Sequence, residues 1–219
     1  MSLQYYFNDE DLGQPPLEVS APIRYGYLIR NAFTLEEIRE YFVALSWLPW
    51  LIQEIVVAGT TYMPMRQTLA FADDDSSKLI KDKTWKGIQY NQLFNTLRTQ
   101  LQNIIIDEIS EIKDSPELNF CWGNRYRDGR DKVGKHKDDE RGHSKTDPIV
   151  SLSFGTHRFF DIYRENKMIE RVSLGMGDIF LMMPGFQDKY FHAVPKQLKV
   201  KDPRINLTFR SLDLDLYEK

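Results

Sequence analysis

PIVSLSFGTHRFFDIYRENKMIERVSLGMGDIFLMMP, residues 148–184, is a train of short strands and tight turns. The runs 149–154, 159–163, 168–174 and 178–183 are rich in β-branched, aromatic and other apolar residues and too short for independent helices. Gly155, Asn166-Lys167, Gly175 with Gly177-Asp178, and Pro184-Gly185 punctuate them. The same text continues on both sides. Runs 118–126 and 132–138 precede it, around Asp128-Gly129, and runs 189–193 and 204–211 follow. Eight short strands separated by turn signals point to a double-layered β fold.

The first half reads differently. Ile23, Tyr25, Tyr27 and Ile29 alternate, which predicts a strand over 23–29. Thr34 with Glu37 forms a capping box opening a helix to Ser46, and Trp47, Pro49 and Trp50 end it. A strand near 51–58 turns at Gly59 and returns, and 72–89 reads as an exposed loop. Phe94, Leu97, Leu101, Ile104 and Ile105 fall at helical spacing and predict an amphipathic helix over 91–108. The expected class is α+β: a double-sheet jelly roll, about 117–212, backed by two helices.

Residues 1–20 carry Asp9, Glu10, Asp11 and Glu18 and no Lys or Arg, and read as a flexible acidic arm before one domain, 21–219. Of the net charge of −3, the arm holds −4, which leaves the remainder at +1. Its basic residues cluster: Arg125, Arg127, Arg130, Lys132, Lys135, Lys137, Arg141 and Lys145 lie within 125–145. The lone Cys121 excludes an internal disulfide framework and suits a reducing compartment. No apolar run approaches the ~18 residues of a membrane span, and no signal peptide is visible. A soluble intracellular monomer, cytoplasmic or nuclear, is expected.

Within this frame, His136 and Asp138 stand one residue apart. On a strand they share a face. His143 and His157 sit in polar turns and read as solvated. His192 lies in the apolar run Tyr190-Phe191-His192-Ala193-Val194, as either a satisfied core residue or a ligand. Two His and one carboxylate make the facial triad of non-haem Fe(II) oxygenases. In the run 204–210, Arg204, Asn206, Thr208 and Arg210 share one face, and Ile205, Leu207 and Phe209 the other. The polar face is either an exposed edge or, if inside, a site for an anion. A dicarboxylate would satisfy two buried guanidiniums. Asn124 and Tyr126 likewise share a face and offer an amide and a phenol.

Taken in order, Asn124-x-Tyr126-x-x-Gly129, His136-x-Asp138-Asp139-Glu140, Pro148-Ile149-x-Ser151-x-Ser153-Phe154-Gly155, Gly177-Asp178, Tyr190-x-His192-x-x-Pro195 and Arg204-Ile205-Asn206-Leu207-Thr208-Phe209-Arg210 resemble the AlkB family of Fe(II)- and 2-oxoglutarate-dependent nucleic-acid dealkylases. The likeness is close from Asn119 to Leu212 and loose from Ile23 to Ile112. It implies a double-stranded β-helix with an N-terminal substrate lid, about 51–90. It implies Fe(II) on His136, Asp138 and His192, and O2 as oxidant. Arg204 would hold the distal carboxylate of 2-oxoglutarate, assisted by Asn124, Tyr126 and Asn206. Arg210 would lie near the C1 carboxylate or brace the site. Glu140 would face the damaged base, and Arg66, in Pro64-Met65-Arg66-Gln67, would touch a phosphate.

The implied activity is oxidative demethylation of bases such as 1-methyladenine and 3-methylcytosine in DNA or RNA, releasing formaldehyde, succinate and CO2. The lid departs from the family pattern. Residues 72–83, ADDDSSKLIKDK, contain no aromatic, so Phe71, Trp85 or Tyr62 would have to stack on the base. The turn Val56-Val57-Ala58-Gly59 offers no large apolar wedge. This favours single-stranded DNA or RNA over duplex. Two other readings stand beside it: a 2-oxoglutarate-dependent oxygenase of proteins or small molecules, and a jelly-roll binding module without metal.

Overall fold

The computed structural model describes residues 14–52, 54–57, 60–73, 87–139 and 142–212. Most of the acidic arm, the turn Ala58-Gly59, residue Trp85, Glu140 and Arg141 lie outside the described residues. The strands are β1 Glu18–Ile23, β2 Gly26–Arg30, β3 Ile55–Val57, β4 Thr60–Tyr62, β5 Gln67–Ala72, β6 Gly87–Gln89, β7 Phe120–Tyr126, β8 Val133–His136, β9 Ile149–Gly155, β10 Arg158–Arg164, β11 Lys167–Leu174, β12 Ile179–Met182, β13 Phe191–Val194 and β14 Arg204–Arg210. The helices are α1 Leu35–Ser46, α2 Gln92–Glu108 and a single turn, α3 Phe186–Lys189.

Two sheets face each other. The larger runs β1-β2-β12-β9-β14-β7-β5-β6, the smaller β11-β10-β13-β8, and β3 and β4 pair apart as a hairpin. This is the expected jelly roll, and the eight strands after residue 117 are all present. Alternation on β14 explains the layering. Ile205, Leu207 and Phe209 pack outward with Val150, Leu152 and Phe154 of β9 against α1 and α2, which contribute Ile38, Phe42, Leu45, Phe94, Leu97 and Leu101. Each such side chain contributes about 1.5–3 kcal/mol by leaving water. The alternate residues of β14 point between the two sheets, where a second apolar cluster includes Tyr126, Phe160, Ile162, Phe180 and Phe186. β14 lies between β9 and β7, so its polar face is interior and not an exposed edge.

Local signals placed the helices well. Thr34 and Glu37 form the capping box at α1, and the Asn91 side chain accepts from the Phe94 amide at the start of α2. At the end of β9, Gly155 has φ +80, and a Cβ there would lie 2.5 Å from the Pro203 carbonyl oxygen. Only glycine suits that turn.

Four expectations need correction. The strand expected over 23–29 is a hairpin, because Tyr25 turns the chain in the left-handed region with φ 67. Glu18, Val19 and Ser20, expected in the arm, therefore belong to β1. The expected loop 72–89 ends in β6, which runs parallel to β5. The strand expected to begin at residue 189 starts at Phe191, because the Tyr190 amide donates back to the Phe186 carbonyl and closes α3. Among the described residues, no helix is long and apolar enough to cross a membrane.

Candidate active site

β8 and β13 pair antiparallel, and His136 and His192 are direct partners in that register. Asp138 follows just beyond the end of β8 and stays on the same side. Its carboxylate reaches both imidazoles: Oδ1 lies 3.5 Å from His136 Nε2 and Oδ2 lies 3.6 Å from His192 Nε2. The three ligand atoms fall within 4.8 Å of one another. An octahedral metal with bonds of about 2.1 Å holds neighbouring ligands ~3 Å apart, so small side-chain adjustments close the set. His136 Nδ1 lies 2.8 Å from the Gly134 carbonyl oxygen. That contact makes Nδ1 the protonated nitrogen and leaves the Nε2 lone pair for a metal. Phe160 stacks on His192 at 5.0 Å and fixes its ring. The His192 side chain is 4% exposed and that of His136 38%, so the site opens on the His136 side.

The electrostatics suit a cation. Burial raises the Asp138 pKa, but Arg210 and the two imidazoles outweigh it and hold the carboxyl well below its usual range. Arg210 Nη2 lies 3.6 Å from Asp138 Oδ2.

Arg204 stands on the same inner face and is 1% exposed. Its Nη2 donates to Ser153 Oγ at 2.7 Å, while Nε and Nη1 are buried and have no hydrogen-bond partner. Burial lowers its pKa to about 10, so it remains a cation at neutral pH. A buried guanidinium with two unused nitrogens is costly without an anion, and a carboxylate is the natural complement. Tyr126 is its cross-strand partner, with Arg204 Cζ 5.3 Å from the ring centroid. Asn206, on the same face, bonds to Ser151 Oγ and the Leu152 carbonyl and accepts from Thr208. These bonds give Asn206 a supporting place in the wall.

Arg66 comes to the site in an unexpected way. Its Nε donates to Asn124 Oδ1, so it ties the segment before β5 to the expected cosubstrate face. Glu140 lies outside the described residues. Phe71 is fully buried and stacks on Phe94 at 4.1 Å, so it is a core residue and cannot stack on a base. The Tyr62 side chain and Trp85 lie outside the described residues. His143 corrects another expectation: it is 7% exposed and pairs through its backbone with Leu212. The basic cluster is partly neutralised, since Arg127 is held by Asp131 and Arg130 by Asp128. Lys135 and Lys137 both lie over the Phe191 ring.

Sequence reasoning missed three contributors. Gln187 of α3 accepts from the Asp138 amide at 3.0 Å, Phe160 stacks on His192, and Arg158 is buried beside Tyr126. Gln187 had no local signal, because a single helical turn has no amphipathic period.

Comparison with known proteins agrees with this geometry. The family model described as 2OG-Fe(II) oxygenase superfamily matches residues 26–210. "DNA oxidative demethylase ALKBH2" of Mus musculus is 35% identical over 116 residues, 48% of this chain and 48% of that protein. "Alpha-ketoglutarate-dependent dioxygenase alkB homolog 3" of Homo sapiens is 36% identical over 191 residues, 78% of this chain and 64% of that protein. The chain thus spans about half the length of the first of these relatives, and less than two thirds of the second. A solved structure, "The structure of OsALKBH1", superposes with a TM-score of 0.56 at 18% identity, covering 90% of this chain and 100% of that one, and supports the fold.

Proposed function

The chain belongs to the 2OG-Fe(II) oxygenase superfamily, with an AlkB-type resemblance, and from that premise we propose that it oxidatively removes N-alkyl groups from nucleic-acid bases. The expected substrates are 1-methyladenine and 3-methylcytosine, in single-stranded DNA or RNA before duplex. Fe(II), 2-oxoglutarate and O2 are the cofactor and cosubstrates of the superfamily. The observation that carries the reading is the His136–Asp138–His192 cluster, with Arg210 of β14 against Asp138, together with a buried Arg204 on the same strand whose Nε and Nη1 have no hydrogen-bond partner. One group of residues fits a metal with open positions, and the other fits the far end of a dicarboxylate.

The residues divide the work. His136, Asp138 and His192 would hold Fe(II), while Gln187 and Arg210 keep Asp138 aimed. Arg204 would take the distal carboxylate of 2-oxoglutarate, with Tyr126 beside it and Asn124 and Asn206 lining the same face. The wall of Phe160, Phe180 and Phe186 keeps water from the inner side of the site. Bound there, Fe(II) with 2-oxoglutarate and O2 supplies hydroxylation of an N-methyl carbon, with succinate and CO2 as products. The hydroxymethyl group then leaves as formaldehyde. The half-exposed His136 side is where a flipped base would enter. Arg66 beside Asn124 stands near that side and would meet a backbone phosphate. Glu140, if it faces the base, would accept from an exocyclic amino group.

Incubation of the Fe(II)-loaded protein with 2-oxoglutarate and methylated oligonucleotides tests the proposal. Loss of the methyl group by mass spectrometry, with formaldehyde release, is the expected result. Turnover of 2-oxoglutarate without demethylation of any oligonucleotide would instead favour a protein or small-molecule oxygenase.

A further inference from the structure

Arg158 opens β10 in the smaller sheet, and no role in the chemistry is expected for it from the sequence. It is 1% exposed. Nε donates to Gln197 Oε1 at 3.1 Å, Nη1 to the Asp128 carbonyl at 2.9 Å, and Nη2 to the carbonyls of Asp131 and Pro195, both at 2.8 Å. These partners come from two separate stretches. Asp128 and Asp131 belong to the turn after Tyr126, and Pro195 and Gln197 follow the strand that carries His192. The Asp131 carboxylate is not among them, because Arg127 holds it. Arg158 therefore keeps a buried charge that is hydrogen-bonded to four neutral oxygens and has no direct carboxylate partner, an arrangement that costs stability relative to a paired charge.

The second observation is Tyr126. The Arg158 guanidinium lies over its ring, 5.5 Å from the centroid, and the Arg204 guanidinium lies over the same ring at 5.3 Å. Tyr126 is 2% exposed and thus has little freedom besides what these neighbours leave it. Gly129 shows how tightly the turn is held: a Cβ there would sit 1.8 Å from the Gln197 carbonyl oxygen. The Gly129 amide and carbonyl bond to Val200 and Gln197 at 3.0 and 2.8 Å. The turn, the segment after β13 and the phenol ring are locked together around one guanidinium.

We infer that Arg158 is a positioning residue for the 2-oxoglutarate site: it fixes Tyr126 beside Arg204 and adds a second buried positive charge behind the pocket for the distal carboxylate. It touches neither the metal nor the cosubstrate. It acts through Tyr126, whose ring it contacts, and through the field it adds to that of Arg204. The inference rests on the reading of Arg204 and Tyr126 as the carboxylate pocket.

The test uses the full chain loaded with Co(II), which holds the site without turnover, and titrates 2-oxoglutarate by calorimetry. Arg158→Met is expected to weaken 2-oxoglutarate binding about 10-fold, the scale of an outer-shell loss, while Co(II) affinity stays within about two-fold. Arg158→Lys, which keeps the charge but not the four bonds, should fall between. Tyr126→Phe combined with Arg158→Met should lose less than the two single changes together, because both act on one ring. Should Arg158→Met not fold, Gln197→Met keeps the guanidinium and removes its Nε anchor, with an expected loss of about three-fold. Unchanged 2-oxoglutarate binding in a folded Arg158→Met, or in Gln197→Met where it stands in, overturns the inference. So does an equal loss of Co(II) and 2-oxoglutarate affinity, which would mark general support of the fold. If wild type binds no 2-oxoglutarate, or Arg204→Met binds it normally, the carboxylate pocket itself falls. Loss in Arg204→Met with none in Arg158→Met overturns the present inference alone.

Discussion

His136 and His192 are 56 positions apart in the chain yet face each other directly across β8 and β13, with ring centroids 4.3 Å apart. The antiparallel register sets that distance, and Asp138 joins them because the chain continues in the same direction past β8. The two imidazoles differ in surroundings. His192 is packed under Phe160 and Phe186, whereas His136 borders solvent.

Removing any ligand should therefore abolish metal binding, with different effects on the fold. His136→Ala, Asp138→Ala and His192→Ala are each expected to weaken Co(II) binding by more than ~100-fold, beyond the usual outer-shell effect. Only His192→Ala should also lower the melting temperature of the metal-free protein markedly, since it opens a cavity beneath Phe160. Spectroscopic titration with Co(II) and thermal denaturation measure the two effects. Unchanged metal binding in all three would remove the metal site.

Gln187 should matter to the metal without touching it. Gln187→Met keeps the side chain's length but leaves the Asp138 amide without an acceptor. A loss of about 10-fold in Co(II) affinity is expected. Gln187→Glu retains an acceptor oxygen and should bind Co(II) nearly as wild type does. Equal loss in both variants would show that packing of α3, and not the hydrogen bond, is responsible.

Arg204 should trade stability for cosubstrate binding. Arg204→Met removes a buried cation that lacks two partners. Without 2-oxoglutarate the variant should be as stable as wild type or more stable, by up to ~1–4 kcal/mol. Binding of 2-oxoglutarate should fall by on the order of 30-fold or more, the scale of a truncated buried charge pair. Chemical denaturation with and without 2-oxoglutarate reads both. A destabilised variant with unchanged 2-oxoglutarate affinity would make Arg204 a structural residue.

Acid sensitivity should trace in part to His143. Burial, followed by repulsion from Arg210, lowers its pKa to about 4 in the folded chain. In the unfolded chain an imidazole takes its proton near 6.5. Between those values the unfolded state binds the extra proton, so stability falls as pH drops from 6.5 towards 4. His143→Gln should flatten the pH dependence in that window by up to about 1.4 kcal/mol per pH unit, with little change above pH 7. Urea denaturation of both proteins at several pH values measures the difference, and parallel slopes would contradict it.

Much of this was readable from local pattern. The capping box of Thr34 and Glu37, the alternation of Arg204–Arg210 and the turns at Gly155 and Gly177 are short-range devices, and they act where the sequence predicts. The hairpin at Tyr25 was hidden because its turn uses a tyrosine in the left-handed region, where glycine or asparagine would be the visible signal. His143 looked solvated from its polar neighbours, but the backbone pairing with Leu212 draws it inside.

By itself the sequence determined which side chains share a strand face: Asn124 with Tyr126, and Arg204 with Asn206 and Arg210. Period-two alternation sets these pairings whatever lies beyond the strand. Which faces meet was a tertiary matter. Only sheet pairing brought His192 opposite His136, put β14 between β9 and β7 so that its arginines are interior, set Gln187 on the Asp138 amide, and gathered Arg158 and Arg204 around Tyr126. Contacts between residues distant in the chain depend on register and on the packing of the two sheets, and no local period encodes them.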